Sequence, residues 1–242
     1  MNKTGEELFS LYLKRTSDYL KVDLFEYYDE MKNNKEIIRE IEEAVKDVDS
    51  FQKKFNDIFE FRFFRTLLYV LIRVTKPGTI VETGVMHGLS SKFILNALRK
   101  NNNGKLISVD LPSFFESGPA NKDGYNFTLP KGKQPGWITN EDDKKIWELR
   151  IGKSLEVLPD VFDKNKEISI FIHDSEHTYE TMWSELNLAW PHIKPGGICI
   201  CDNIESNTSF FDFCLKVGKI PLVLPAPGND GLMSIRFALI QK

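Results

Sequence analysis

The sequence predicts an α/β protein: a doubly wound, mostly parallel sheet preceded by a helical extension. Three observations carry this expectation. From residue 79 onward, short apolar runs alternate with helical stretches, the rhythm of parallel strands joined by crossover helices. Before residue 76 there is only charged helical periodicity and no β pattern. Acidic residues recur where the apolar runs end, and open parallel sheets bind ligands at those strand ends.

Residues 1–75 read as a helical cap or oligomerisation element. Ile37, Ile38, Ile41 and Val45 recur at helical spacing among acids and bases, which leaves one wet face. Phe51 to Val74 forms a longer, more apolar helix, closed by Lys76-Pro77-Gly78. Residues 76–242 then form the main domain. A strand at 79–82 leads through a glycine turn into a helix at 90–100, which Asn101-Asn102-Asn103-Gly104 ends before a strand at 106–110.

Residues 111–142 are rich in Gly, Pro, Lys and Asn, and a loop of that length inside a domain is commonly functional. Its aromatic residues Phe114, Phe115, Tyr125, Phe127 and Trp137 indicate an ordered lid or specificity loop. Lys131, Lys133 and Trp137 could clamp an anionic or ring-shaped ligand; a solvated loop is the competing reading. Strands follow at 147–151, 169–172 and 197–201, with helices at 155–162 and 178–190 between them. A helix at 208–217 and strands at 220–224 and 232–240 close the chain as an antiparallel hairpin.

Composition narrows the function classes. A net charge of −3 gives no footprint for nucleic acid or an anionic membrane. No apolar run reaches the roughly 18–20 residues that span a bilayer. The first residues lack the basic start and apolar stretch of a secretory leader, so a cytoplasmic location is expected. Three cysteines, two of them inside an apolar run, fit reduced thiols rather than a disulfide framework.

The chemistry concentrates at strand ends. Glu82-Thr83-Gly84-Val85-Met86-His87-Gly88-Leu89-Ser90 joins the first strand to the first helix. Gly84 and Gly88 let the backbone turn tightly and approach a ligand, and Ser90 is the expected helix cap. Asp110 ends the second strand, where an acid accepts ribose hydroxyls in dinucleotide folds; a capping or solvated Asp is the alternative. The turn is not the dinucleotide fingerprint, because Met86 stands where its second glycine belongs and would crowd a pyrophosphate.

The E-x-G-x-x-x-G-x-S pattern, with Lys194-Pro195-Gly196-Gly197 before a later strand, resembles the class I S-adenosylmethionine-dependent methyltransferases. That resemblance covers residues 75–242 and implies a Rossmann-like seven-stranded sheet with an antiparallel last strand. Within the class, the likeness is to metal-dependent O-methyltransferases of the catechol and sugar or macrolide type. It implies that S-adenosyl-L-methionine contacts Glu82, Gly84, Gly88, Ser90, Asp110, Ser154 and Asp174, with Ser154 near the adenine. It also implies a divalent cation, Mg²⁺, held by Asp174, Asp202 and Asn203, an oxygen donor set that suits a hard ion.

His177, three residues after Asp174, stands where catechol-type enzymes carry a lysine base, and an imidazole can take a hydroxyl proton near neutral pH. His173 is the rival base; a purely structural histidine is the alternative for His177. The leading expectation is therefore O-methylation of a small molecule such as a sugar, phenol or natural product. A metal-independent N- or O-methyltransferase with a histidine base is the second reading. A nicotinamide-dependent oxidoreductase is disfavoured by Met86 and the missing third glycine, and a catalytically idle scaffold by the intact acids. The expected partners are an acceptor molecule and a second copy bound through the N-terminal helices, with no nucleic acid and no membrane.

Overall fold

The computed structural model describes residues 3–48, 62–111, 129–227 and 233–242. Parts of the expected 51–74 helix and of the 111–142 loop, and the tip of the final hairpin, lie outside the described residues. Helices α1 (Lys3–Leu20), α2 (Phe25–Lys32), α3 (Lys35–Val45) and α4 (Arg62–Thr75) precede the first strand. Then come β1 (Thr79–Thr83), α5 (Leu89–Asn101), β2 (Lys105–Asp110), α6 (Glu141–Lys144) and β3 (Trp147–Ile151). The chain continues through α7 (Ser154–Lys164), β4 (Ile168–His173), α8 (Tyr179–Ala189), β5 (Ile193–Cys201), α9 (Ser209–Val217), β6 (Leu222–Pro227) and β7 (Met233–Gln241). Among the described residues, no helix is long and apolar enough to cross a membrane.

The described strands form one seven-stranded sheet in the order β3-β2-β1-β4-β5-β7-β6. All pairs from β3 to β5 are parallel, and β7 runs antiparallel to both its neighbours. Chain direction reverses across the sheet between β1 and β4, which makes their carboxyl ends the switch point where open α/β sheets bind ligands.

Side chains alternate across the sheet with the period of two that a strand imposes. Ile80, Leu106, Ile170, Ile172, Ile198 and Ile200 face one layer, shared with Phe9, Leu13, Ile37, Ile41, Leu67 and Ile94. Val81, Ile107, Val109, Phe171, Cys199 and Cys201 face the other, packed with Leu158, Phe162, Met182, Leu186 and Phe213. The N-terminal helices thus share one core with the sheet. The three cysteines are buried free thiols, as their apolar setting implies.

The same alternation directs Glu82 and Asp110 at the ends of β1 and β2 toward the first face and, extended by one residue past β4 and β5, Asp174 and Asp202 as well. Backbone ladders continue that far, with Asp174 N–H on the Thr83 carbonyl at 2.9 Å and Asp202 N–H on the His173 carbonyl at 3.0 Å. His173 and Thr83, one residue out of phase, point to the second face. Four acids on one side of one sheet edge are a consequence of parity.

A buried ionic cluster pins the first face. Lys92 of α5 has no solvent exposure and pairs with Asp143 and, at 2.8 Å, with Glu40 of α3. Arg99 joins the same two acids at 2.9 and 3.3 Å. Asp143 also closes a capping box with Asn140 at the start of α6. One set of charges therefore ties α3, α5 and the end of the long loop together.

Candidate active site

The turn after β1 is shaped by close backbone approach. Gly84 has φ +83°, and a Cβ there would lie 1.8 Å from the Asp174 carbonyl oxygen. Gly88 has φ +84°, and a Cβ there would lie 2.6 Å from the Gly136 Cα. Met86, where the dinucleotide pattern has glycine, itself adopts φ +50°. Its backbone is thus glycine-like while the side chain remains, a costly arrangement for a non-glycine residue.

Asp110 explains how that conformation is held. Its Oδ2 accepts the Met86 N–H at 2.7 Å, so the carboxylate props the turn. Burial raises the Asp110 carboxyl above its usual range, and backbone N–H groups oppose the rise. The sequence points to Ser90 as the cap of α5, but the helix opens at Leu89 with Gly88 as its cap and no side-chain hydrogen bond. The left-handed glycine turns the chain into the helix earlier than a serine cap would. The serine that contacts Glu82 is the next one, Ser91.

Glu82 is fully buried. Its Oε2 accepts from Ser91 Oγ at 2.7 Å and Ser108 Oγ at 2.8 Å, and Ser108 in turn receives the Trp147 indole N–H at 2.9 Å. Among the described residues, its buried Oε1 has no hydrogen-bond partner. Burial pushes the carboxyl up to about 7 against the two serine hydrogen bonds. An unsatisfied buried carboxylate oxygen at the switch point fits a ligand cation.

These shifts set a pH dependence. Glu82, Asp110 and Asp174 all bind protons more tightly in the fold than when unfolded. Between the ordinary carboxylate range and about pH 7 the unfolded chain therefore holds fewer protons, and stability falls as pH rises. Urea denaturation of the ligand-free protein from pH 4.5 to 8 should show this decline. Glu82→Gln should flatten it, and an unchanged slope would contradict this account of Glu82.

At the end of β4 the two histidines separate. His173 is fully buried on the second face, with Nδ1 2.7 Å from Glu185 Oε2. Glu185 also accepts from Thr83 Oγ1 at 2.6 Å and Ser175 Oγ at 2.7 Å. Burial alone would raise the Glu185 carboxyl, but the His173 ring leads the partners that bring it below the ordinary range. His173 is thus a strut beneath the edge. His177 is also largely enclosed, its side chain 10% exposed, with Nε2 3.9 Å from Asp174 Oδ1 and its ring edge-on to His173 at 5.6 Å. The Asn207 amide holds the His177 carbonyl at 2.9 Å, and Thr178 caps α8 immediately after it.

Asp174 is raised well above the usual carboxylate range, first by burial and then by the charges of Asp202 and Glu82. Arg65 of α4 opposes that rise. Asp202 Oδ1 accepts the Asn203 N–H at 2.9 Å, and the Asn203 amide nitrogen donates to Glu205 at 3.2 Å, leaving the amide oxygen as an acceptor. Among the described residues, no three His, Cys, Asp or Glu side chains converge to hold a metal. The donor set here is two carboxylates and an amide oxygen, and the mutual repulsion of Asp174 and Asp202 is what a hard cation relieves, so the group fits.

Segment 129–140 straps onto the glycine turn. Gly136 N–H donates to the Met86 carbonyl at 2.8 Å and Ile138 N–H to the His87 carbonyl at 3.2 Å. The Trp137 indole donates to His87 Nδ1 at 2.9 Å, and Lys133 Nζ lies 4.9 Å from the Trp137 ring centroid. Ser154 opens α7 rather than standing in a loop. Sequence reasoning missed Arg65, Ser91, Ser108 and Glu185. Leu111 and Leu155, exposed at 57% and 40%, were missed as well, whereas Ile151, exposed at 53% and paired with Asp110 across β2 and β3, ends a strand whose exit was expected to face the ligand. The signal of the two leucines was an apolar residue directly after Asp110 and another in the first turn of α7, where polar residues are usual.

A parallel sheet of this order, closed by an antiparallel β7 and carrying a glycine turn and strand-end acids, is the class I methyltransferase fold. The Methyltransferase domain family matches residues 81–204, just over half of the chain, and the protein belongs to that family. No curated protein matches the chain by sequence. Among solved structures it is similar to an O-methyltransferase from Bacillus cereus in complex with SAH, at 14% identity and TM-score 0.59, over 84% of this chain and 91% of that one. The O-methyltransferase TomG from Streptomyces achromogenes, involved in tomaymycin synthesis and bound to SAM, matches at 15% identity and TM-score 0.57, over 85% and 89%. A calicheamicin methyltransferase matches at 19% identity and TM-score 0.52, over 88% and 92%. At these identities the likeness establishes the fold.

Proposed function

We propose that the protein transfers a methyl group from S-adenosyl-L-methionine to a hydroxyl oxygen of a small molecule. The observation that carries this reading is Glu82, a buried carboxylate with an unpartnered oxygen beside a glycine turn at the switch point. The cofactor fits: its ammonium answers Glu82, and its ribose hydroxyls answer Asp110, whose carboxylate has acceptor capacity beyond the bonds from the Val85, Met86 and Leu111 N–H groups. Leu111, Ile151 and Leu155 supply an apolar bed for the purine, with Ser154 at its margin. Gly84 and Gly88 leave no side chain at the two points of closest backbone approach, and Ser90 lies on the first turn of α5. The cofactor supplies an electrophilic methyl group, so the remaining work is alignment and deprotonation of the acceptor.

His177 is the base in this reading. Asp174 orients its ring and favours the charged imidazolium that results when Nε2 takes the acceptor proton. Glu185 and His173 hold the floor on which that pair rests. A divalent cation such as Mg²⁺ would be held by Asp174, Asp202 and the Asn203 amide oxygen, and would polarise the acceptor hydroxyl. The names of the similar structures, O-methyltransferases of natural-product synthesis among them, support a hydroxyl on a compound of that kind as acceptor.

Calorimetric titration with S-adenosyl-L-methionine and with NAD tests the cofactor; binding of NAD alone would end the reading. Methyl transfer to a panel of sugars and phenols, before and after chelation and in Asp202→Asn, tests the rest. Loss of turnover with cofactor binding intact is expected. Full activity after exhaustive metal removal would leave His177 and Asp174 as the complete machinery and remove the cation.

A further inference from the structure

The N-terminal helices contribute a charge to this edge of the sheet. Helix α4 runs into Lys76-Pro77-Gly78 and from there into β1, so it descends the first face as β1 climbs. Thr75 lies ten positions after Arg65, about 15 Å along the helix axis. From Thr79 to Thr83, β1 rises by about 13 Å. Arg65 therefore stands level with the carboxyl ends of the strands, on the face to which Glu82, Asp110, Asp174 and Asp202 are directed.

Two further observations agree with that placement. The Arg65 Nε has no access to solvent. Burial pulls its guanidinium down to about 10, and the charges that act against this are Asp174 and Asp202. The side chain thus extends from the helix toward the two acids at the ends of β4 and β5.

S-adenosyl-L-methionine brings two cations and one carboxylate. The sulfonium and ammonium suit an edge lined with four acids, but the carboxylate would be repelled there unless a cation receives it. An arginine is always charged and its planar fork matches a carboxylate in two parallel hydrogen bonds. The geometry points to Arg65 as the residue that binds the α-carboxylate of the cofactor. This rests on the methyltransferase reading given above. It makes α4, which lies outside the family-matched residues 81–204, part of the cofactor site rather than a cover over it.

The test compares two ligands that differ only in the amino-acid portion. S-adenosylhomocysteine and 5′-methylthioadenosine are titrated calorimetrically into the wild type, Arg65→Lys and Arg65→Met. Arg65→Met should weaken S-adenosylhomocysteine binding about 10- to 100-fold, the effect of one lost charge-assisted pair. Its affinity for 5′-methylthioadenosine should change less than about twofold, and Arg65→Lys should fall between wild type and Arg65→Met. An unchanged affinity of Arg65→Met for S-adenosylhomocysteine would overturn the assignment. So would equal losses for both ligands in both variants, which would mark Arg65 as a packing residue. If the wild type bound neither ligand, the methyltransferase reading itself would fall, and this inference with it.

Discussion

Gly84→Ala should abolish cofactor binding and lower stability by about 2–5 kcal/mol, the sum of a left-handed backbone penalty and an overpacking cost. At φ +83° an L-residue is strained, and the added Cβ would meet the Asp174 carbonyl oxygen at 1.8 Å and its carbon at 2.5 Å. Both are backbone atoms, so no side chain can swing aside. Either the turn or the end of β4 must move, and both carry the site. Gly218 at the end of α9 provides the control: its φ is +66°, with nothing among the described residues within 4 Å of an added Cβ. Gly218→Ala should cost only the backbone term, about 1–2 kcal/mol. Urea denaturation of the two variants separates strain from collision. A Gly84→Ala protein no less stable than Gly218→Ala would show that the contact with Asp174 does not constrain the fold.

His177→Ala should reduce turnover about 10²- to 10⁴-fold while leaving affinity for S-adenosylhomocysteine within about twofold. The ring lies beside Asp174 rather than within the glycine turn, so its loss touches proton transfer and spares the cofactor bed. His173→Ala should behave differently. That ring is buried against Glu185, and removing it leaves a fully buried carboxylate short of its main partner. Its expected signature is a loss of stability of about 3–5 kcal/mol, as when one member of a buried pair is removed. Stopped activity assays and denaturation of the two alanine variants distinguish base from strut. A His177→Ala enzyme with near-normal turnover would return the deprotonation step to another group.

The legible part of this site was the part written along single strands. Glu82, Asp110 and Asp202 follow an apolar run directly and Asp174 follows one after a single histidine, so their positions could be read from local pattern. Their convergence on one face followed from a parity of two, once the strands proved to be parallel and in register. The choice between His173 and His177 was not legible. The packing of α8, which sets Glu185 against one ring and leaves the other beside Asp174, decides between them, and it is not a property of the five residues that carry them. Ser90 as the helix cap failed for a similar reason, because a left-handed Gly88 shifted the start of α5.

By itself, then, the sequence determined the order of strands and helices, the glycine turn, the acids at the strand ends and the absence of a pyrophosphate-type fingerprint. These depend on periodicity, on glycine's freedom at positive φ and on the bulk of Met86, all short-range properties. Only the tertiary structure decided that Asp110 props the turn, that segment 129–140 straps onto it, and that Glu185 immobilises His173. It alone brought Arg65 to the level of the strand ends. Those facts join residues far apart in the chain, and what joins them is the burial of two sheet faces, which no local pattern encodes.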